Sequence, residues 1–191
     1  SIEMGYSHID TAEMYGAGHS EELVGKAIKG TERGRLFITT KVSPDNLGYE
    51  DVLNSARNSI KRMETDYIDL YQIHWPSGSF GFKEVPIGET MGALNDLKDQ
   101  GKIRSIGVSN FSRLQLQEAL EYGQIDSLQP PYSLFWRHVE KDAGAYCRDN
   151  GLALLAYVGG SVAPFLFGVV VPYVAIIIFV VFFIKKILSW G

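Results

Sequence analysis

Strand-like runs alternate strictly with runs of helical period along most of this chain, and that alternation restricts the fold more than any other feature of the sequence. A short run through Tyr6, His8 and Ile9 ends on Asp10, and further strands are predicted at residues 36–42, 68–74, 103–109, 127–129 and 152–157. Between them, Ser20 is placed to cap a helix with Leu23, Val24, Ala27 and Ile28 on one face and Gly30 as its stop. A second helix from about Glu50 carries Val52, Leu53, Ala56, Ile60 and Met63 at helical spacing, with Lys61 and Arg62 near its end, where cations suit the helix dipole. A third, from Ile87, aligns Met91, Leu94 and Leu97 and closes at Gly101, and a fourth opens on Ser112 and Gln115 as a capping box. A fifth is predicted from Glu140 to Asn150. Such alternation argues for an α/β fold, a parallel sheet with helical crossovers.

Each predicted strand carries a polar residue at its C-terminal end: Asp10, Lys41, His74, Ser109 with Asn110, Gln129, and Tyr157. Repetition at one rim is the strongest internal sign of a site. Within GYSHIDTAEMYGAG, residues 5–18, a polar, Gly-rich segment just beyond the first strand holds Tyr15 near Asp10. A phenol has a pKa of about 10, so it donates a proton near neutrality only if a positive charge stabilises its phenolate. Lys41 is the best-typed source of that charge, and Asp10 is suited to hold its ammonium. His74 is a fourth polar group of the same rim. Taken singly, each has a plain alternative: a satisfied structural His, a solvated Lys, an Asp capping a turn. The Gly-, Ser- and Phe-rich stretch 75–86 shows no helical period and reads as a rim loop of the kind that binds ligands.

The segments HIDTAEMYG, ITTKV, DLYQIHWP and GKIRSIGVSNF, in this order, resemble the aldo-keto reductases over about residues 5–157. The resemblance implies a (β/α)8 TIM barrel, here incomplete with about six parallel strands matching the family's second to seventh. It implies an NADPH-dependent reductase that converts an aldehyde or ketone to an alcohol by hydride transfer. Asp10, Tyr15, Lys41 and His74 would be its catalytic tetrad, with Tyr15 the proton donor and His74 bonded to the substrate oxygen. Ser109, Asn110 and Gln129 match positions that hydrogen-bond the nicotinamide carboxamide, and Tyr157 the aromatic that stacks on its ring. Trp75, Phe111 and Trp136 are read as walls of a hydrophobic substrate pocket or as ordinary barrel packing. No metal is implied. No Gly-x-Gly-x-x-Gly segment follows a strand, which argues against a Rossmann site.

A complete barrel of this kind takes about 250 residues, with a lower bound of roughly 200, whereas the chain has 191. It begins inside a motif without a Met or a signal-like segment, so an N-terminally incomplete copy is expected, lacking the family's first strand and helix. A net charge of −4 without a basic stripe excludes nucleic acid as an expected partner. The single cysteine, Cys147, rules out an internal disulfide framework and fits a reducing compartment.

At about residue 158 the resemblance stops. Residues 158–184 contain no charged side chain, long enough for a membrane span of about 20 apolar residues, and Lys185, Lys186 and Trp190 follow as interfacial anchors would. The expected organisation is a partial barrel over 1–157 and a hydrophobic tail over 158–191 that anchors a cytoplasmic domain to a membrane. Alternatives for the tail are a buried strand pair or the product of a shifted reading frame. The resemblance also implies that the family's phosphate-binding segment after its seventh strand is absent, so weak NADPH binding and little activity are expected. Two further functional readings stand beside the reductase: a membrane-tethered nicotinamide-binding module that senses redox state or binds a partner, and a non-functional remnant.

Overall fold

A computed structural model describes residues 2–133 and 136–158. Six strands lie in one parallel sheet in chain order: β1 (His8–Asp10), β2 (Phe37–Val42), β3 (Ile68–Ile73), β4 (Ile103–Ser109), β5 (Ser127–Gln129) and β6 (Ala153–Leu154). The crossovers are α1 (His19–Ile28), α2 (Tyr49–Arg62), α3 (Ile87–Asp99), α4 (Arg113–Leu120) and α5 (Ala143–Asp149). The described residues have the architecture of an incomplete (β/α)8 barrel with six strands. The tail expected to span a membrane lies outside the described residues beyond Val158. Among the described residues no helix is long and apolar enough to cross a membrane.

The sheet's two faces follow from its register. Paired residues of parallel strands share a face, and the pairs Asp10 with Thr39, Lys41 with Gln72, Gln72 with Gly107 and Gly107 with Ser127 place a largely polar row on one side. The opposite side presents Ile38, Val42, Tyr71, Ile73, Ile106, Val108 and Leu128, which join one core with Val52, Leu53 and Ala56 of α2, Met91, Leu94 and Leu97 of α3, and Leu116 and Ala119 of α4. Burying each of the large aliphatic side chains contributes about 1.5–3 kcal/mol. The apolar face therefore binds the helices, and the polar face is left for the site.

Local signals decide most boundaries. Ser112 Oγ accepts from Gln115 N at 3.3 Å while Gln115 Oε1 accepts from Ser112 N at 2.9 Å, the capping box expected from the sequence. Gly101, at φ +69°, lets the chain leave α3 in the left-handed region. Asp69 on β3 ties three strands together, accepting from Arg33 at 2.6 Å, from Ile38 N at 2.9 Å and from Arg104 at 3.2 Å.

Two helices depart from expectation. The N-cap of α1 is Gly18, not Ser20, whose hydroxyl instead accepts from Thr11 Oγ1 at 2.9 Å. The buried face of α1 is Glu21, Gly25 and Ile28, while Leu23 and Ala27 are exposed. The cause is close packing on α2: a Cβ on Gly25 would lie 2.9 Å from the carbonyl oxygen of Arg62, so the glycine side must face inward. The fifth helix starts only at Ala143, because residues 138–141 form a 3-10 turn. Glu140 holds that turn, accepting from Tyr132 Oη at 2.5 Å and from Arg137 at 2.9 Å. Cys147 is buried, and burial pushes its thiol up to about 11, the inert end of cysteine chemistry.

Candidate active site

Every strand-end residue singled out from the sequence stands at the C-terminal rim of the sheet. Asp10 ends β1, Lys41 is the penultimate residue of β2, His74 follows β3, Ser109 ends β4 and Gln129 ends β5. Tyr157 extends past β6, where it makes a parallel bridge to Pro131 and its carbonyl accepts from Tyr132 N at 2.9 Å. Tyr15 comes from the loop between β1 and α1. That loop is pinned to β2 by Thr11 N donating to Thr39 O at 2.9 Å and Glu13 N donating to Lys41 O at 3.3 Å.

At the floor of the rim, Lys41 Nζ donates to Asp10 Oδ1 and, at 2.8 Å, to the carbonyl of Thr11. Both side chains are withdrawn from water, Lys41 at 1% and Asp10 at 3% exposure. The second carboxylate oxygen of Asp10 accepts from Gln129 Nε2 at 2.6 Å. Burial pulls the Lys41 ammonium below its usual range, and the Asp10 carboxylate opposes that pull.

Above this pair the rings of Tyr15 and His74 meet edge to face with centroids 5.5 Å apart, and Lys41 Nζ lies 5.5 Å from the Tyr15 centroid. The expectation that Lys41 lowers the Tyr15 pKa is corrected here. Burial pushes the Tyr15 phenol up to about 12, and the charges of Asp10 and Tyr157 push the same way. Lys41, engaged by Asp10, does not outweigh these effects in the resting site. Tyr15 is thus a fully protonated hydroxyl over the physiological range.

Burial, aided by the positive charge of Lys41, brings the His74 imidazole down to about 3. Its Nδ1 has no hydrogen-bond partner among the described residues. A neutral imidazole beside a protonated phenol can donate to an oxygen without carrying charge. The depressed value has a consequence for stability. Between pH 6.5 and 3 the unfolded chain binds a proton at this position and the folded chain does not, so stability present above about pH 6.5 is lost as the pH falls. At 1.36 kcal/mol per unit, the His74 contribution should fall by about 3 kcal/mol between pH 6.5 and 4. Urea unfolding of the native chain and of His74→Gln across that range checks it: the two stabilities should converge toward low pH, and parallel curves would refute the assignment.

The residues matched to nicotinamide contacts form one bonded group. Ser109 Oγ donates to Gln129 O at 2.9 Å, and Asn110 Nδ2 donates to His74 O at 3.0 Å and to Ser109 Oγ at 3.1 Å. Asn110 Oδ1 accepts from Tyr157 Oη at 2.7 Å. Asn110 sits at φ +63°, a conformation that asparagine tolerates better than most residues. Of the three aromatics, Phe111 is buried in the core, the packing alternative. Trp75 borders the rim and meets Phe80 edge to face at 5.2 Å, and Trp136 is 56% exposed.

Glu13 went unremarked in the sequence. Its Oε1 accepts from Ser43 N at 2.6 Å and Asn46 Nδ2 at 3.2 Å, which joins the Tyr15 loop to the loop after β2. No periodicity marks it, because both partners are remote in the chain. Glu21 also went unremarked, because the face it shares with Gly25 and Ile28 is set by the packing of α1 on α2.

Comparison with known proteins matches the model of the Aldo/keto reductase family to residues 1–159. Methylglyoxal reductase YeaE of Escherichia coli (strain K12) is 40% identical over 159 residues, 82% of this chain and 54% of that protein. The solved structure of the thermostable aldo-keto reductase Tm1743 in complex with epalrestat superposes with a TM-score of 0.77 at 48% identity, covering 82% of this chain and 56% of that one. An aldo-keto reductase from Klebsiella pneumoniae in complex with NADPH superposes with a TM-score of 0.73 at 37% identity, covering 82% and 54%. The chain spans about half the length of the curated relatives it matches.

Proposed function

The chain belongs to the aldo/keto reductase family, and from that membership we propose that its rim is the proton-donating side of a carbonyl reductase acting on small aldehydes or ketones with NADPH. The observation that carries this reading is the meeting of Tyr15 and His74, 5.5 Å between ring centroids, above the buried Asp10 and Lys41 pair. Three strand ends and one loop converge there.

In this mechanism a substrate carbonyl oxygen lies between the Tyr15 hydroxyl and the His74 imidazole. His74, neutral, orients the oxygen by donating a hydrogen bond. Tyr15 Oη hands its proton to that oxygen as negative charge develops on it. Lys41, held by Asp10 and the Thr11 carbonyl, stabilises the resulting phenolate through space. A bound nicotinamide supplies the hydride. The hydroxyl and amide groups of Ser109, Asn110 and Gln129 are of the type that pairs with a carboxamide, and Tyr157 offers a ring beside them. Their mutual hydrogen bonds hold them in place before any ligand arrives, which limits the ordering cost of binding.

Relatives that this chain resembles include proteins described as methylglyoxal and glyoxal reductases, and small dicarbonyls are the first substrates to try. The test is a chimera in which residues 1–157 are joined to the portions of the Escherichia coli methylglyoxal reductase that the chain does not cover. NADPH oxidation dependent on methylglyoxal is the expected result. A folded chimera that binds NADPH yet reduces no carbonyl substrate would overturn the reading.

A further inference from the structure

On the helix-facing side of β2 and β3, where a barrel wall is ordinarily apolar, lies a buried polar cluster outside the tetrad. Thr40 and Tyr71 are register partners on that face. Thr40 Oγ1 donates to Glu21 Oε1 at 2.5 Å, and Arg62 Nε donates to Glu21 Oε2 at 2.6 Å. Arg62 Nη2 is also 2.6 Å from Glu21 Oε2, 3.8 Å from Glu13 Oε2 and 3.3 Å from Ser59 Oγ. Glu21 is wholly buried, and the Tyr71 hydroxyl finds no partner among the described residues.

The two carboxylates flank one functional loop. Glu13 precedes Tyr15 and Glu21 follows it, and the loop's neck is closed where Thr11 Oγ1 donates to Ser20 Oγ at 2.9 Å. Arg62 also packs against Gly18, the N-cap of α1: a Cβ there, at φ +91°, would lie 2.7 Å from Arg62 Cδ. The Arg62 side chain on α2 therefore faces the chain on both sides of Tyr15: an ion pair to Glu13 before it, and Gly18 and the bonded Glu21 after it. A buried ion pair yields little net stability relative to apolar packing of the same volume. What it does supply is direction, because the planar fork of arginine accepts few geometries.

We propose that Arg62 is a positioning residue for Tyr15, pairing with Glu13 and Glu21 so that the loop between β1 and α1 holds the phenol against His74. The inference takes its functional meaning from the reading of Tyr15 as proton donor. Its test reads the placement of Tyr15 directly, without catalysis, so failure of carbonyl reduction and failure of the clasp are separate results. Placement matters at this scale because a displacement of about 1 Å costs a reacting group about a hundredfold in rate.

The experiment uses the full chain with ring-carbon-labelled tyrosine, the Tyr15 signal being assigned by its loss in Tyr15→Phe. Two variants are compared with the native chain: Arg62→Lys, which keeps the charge but loses the fork, and Arg62→Met with Glu21→Gln, which removes the guanidinium together with the charge of its wholly buried partner. The groups facing Tyr15 (Asp10, Lys41, His74 and Tyr157) are unchanged in both. In each variant the Tyr15 hydroxyl is expected to titrate about one unit closer to an ordinary phenol as water reaches it. Amide exchange at Tyr15, Ser20 and Glu21 should rise about tenfold, with the β3 and β4 amides unchanged. Unchanged Tyr15 titration and loop exchange in both variants would overturn the proposal. Equal loss of protection in β3 and β4 would also overturn it, assigning Arg62 to the fold as a whole.

Discussion

Tyr15→Phe should lower the turnover number of carbonyl reduction in the completed chimera by about 10²- to 10⁴-fold, with NADPH affinity unchanged. The substitution keeps the ring that meets His74 and removes only the hydroxyl, so packing at the rim is preserved. With its pKa raised to about 12, that hydroxyl is protonated wherever the enzyme would work, and its proton is given up only as charge appears on the substrate oxygen. An interaction made chiefly in the transition state appears in kcat rather than KM. Steady-state kinetics with methylglyoxal, alongside fluorescence titration with NADPH, separates the two. Turnover within about threefold of the parent would remove Tyr15 from the chemistry.

Lys41→Met should destabilise the chain by about 3–5 kcal/mol, as removal of one partner from a buried ion pair does. Asp10 would be left at 3% exposure with the Gln129 amide as its remaining donor among the described residues, and the Thr11 carbonyl would lose its partner. Asp10→Asn combined with Lys41→Met removes the orphaned charge and should recover a large part of that loss. Urea unfolding of the single and double variants measures the coupling. A cost below about 1 kcal/mol for Lys41→Met would mean that the ammonium is not held as the geometry describes. A completed chimera carrying the double variant should fold yet reduce carbonyls poorly, since nothing would then stabilise the Tyr15 phenolate.

Much of the fold was legible in the sequence. Strand ends such as Asp10, Lys41 and Gln129 could be placed because apolar strand runs and helical spacing are local patterns, read within a few residues. The capping box at Ser112 and Gln115 and the glycine stop at Gly101 are local in the same sense. Helix faces were less legible where packing overrides hydropathy. Leu23 points to water while Glu21 is buried, because Gly25 must approach the backbone of α2, and hydropathy carries no record of that approach.

What the sequence by itself determined is the order of parallel strands and helices, the rim at which the polar residues gather, and the motifs that give the family. Tertiary structure alone decided the proton affinities and the partners. The Tyr15 phenol is raised rather than lowered because the surrounding rim excludes water and because the charge of Asp10, which also engages the Lys41 ammonium, pushes the same way. Glu13 and Arg62 stand 49 positions apart in the chain yet 3.8 Å apart in space. Electrostatic energy depends on separation through space and on the dielectric between groups. Neither quantity exists in a linear chain until α1 and α2 have packed on the sheet.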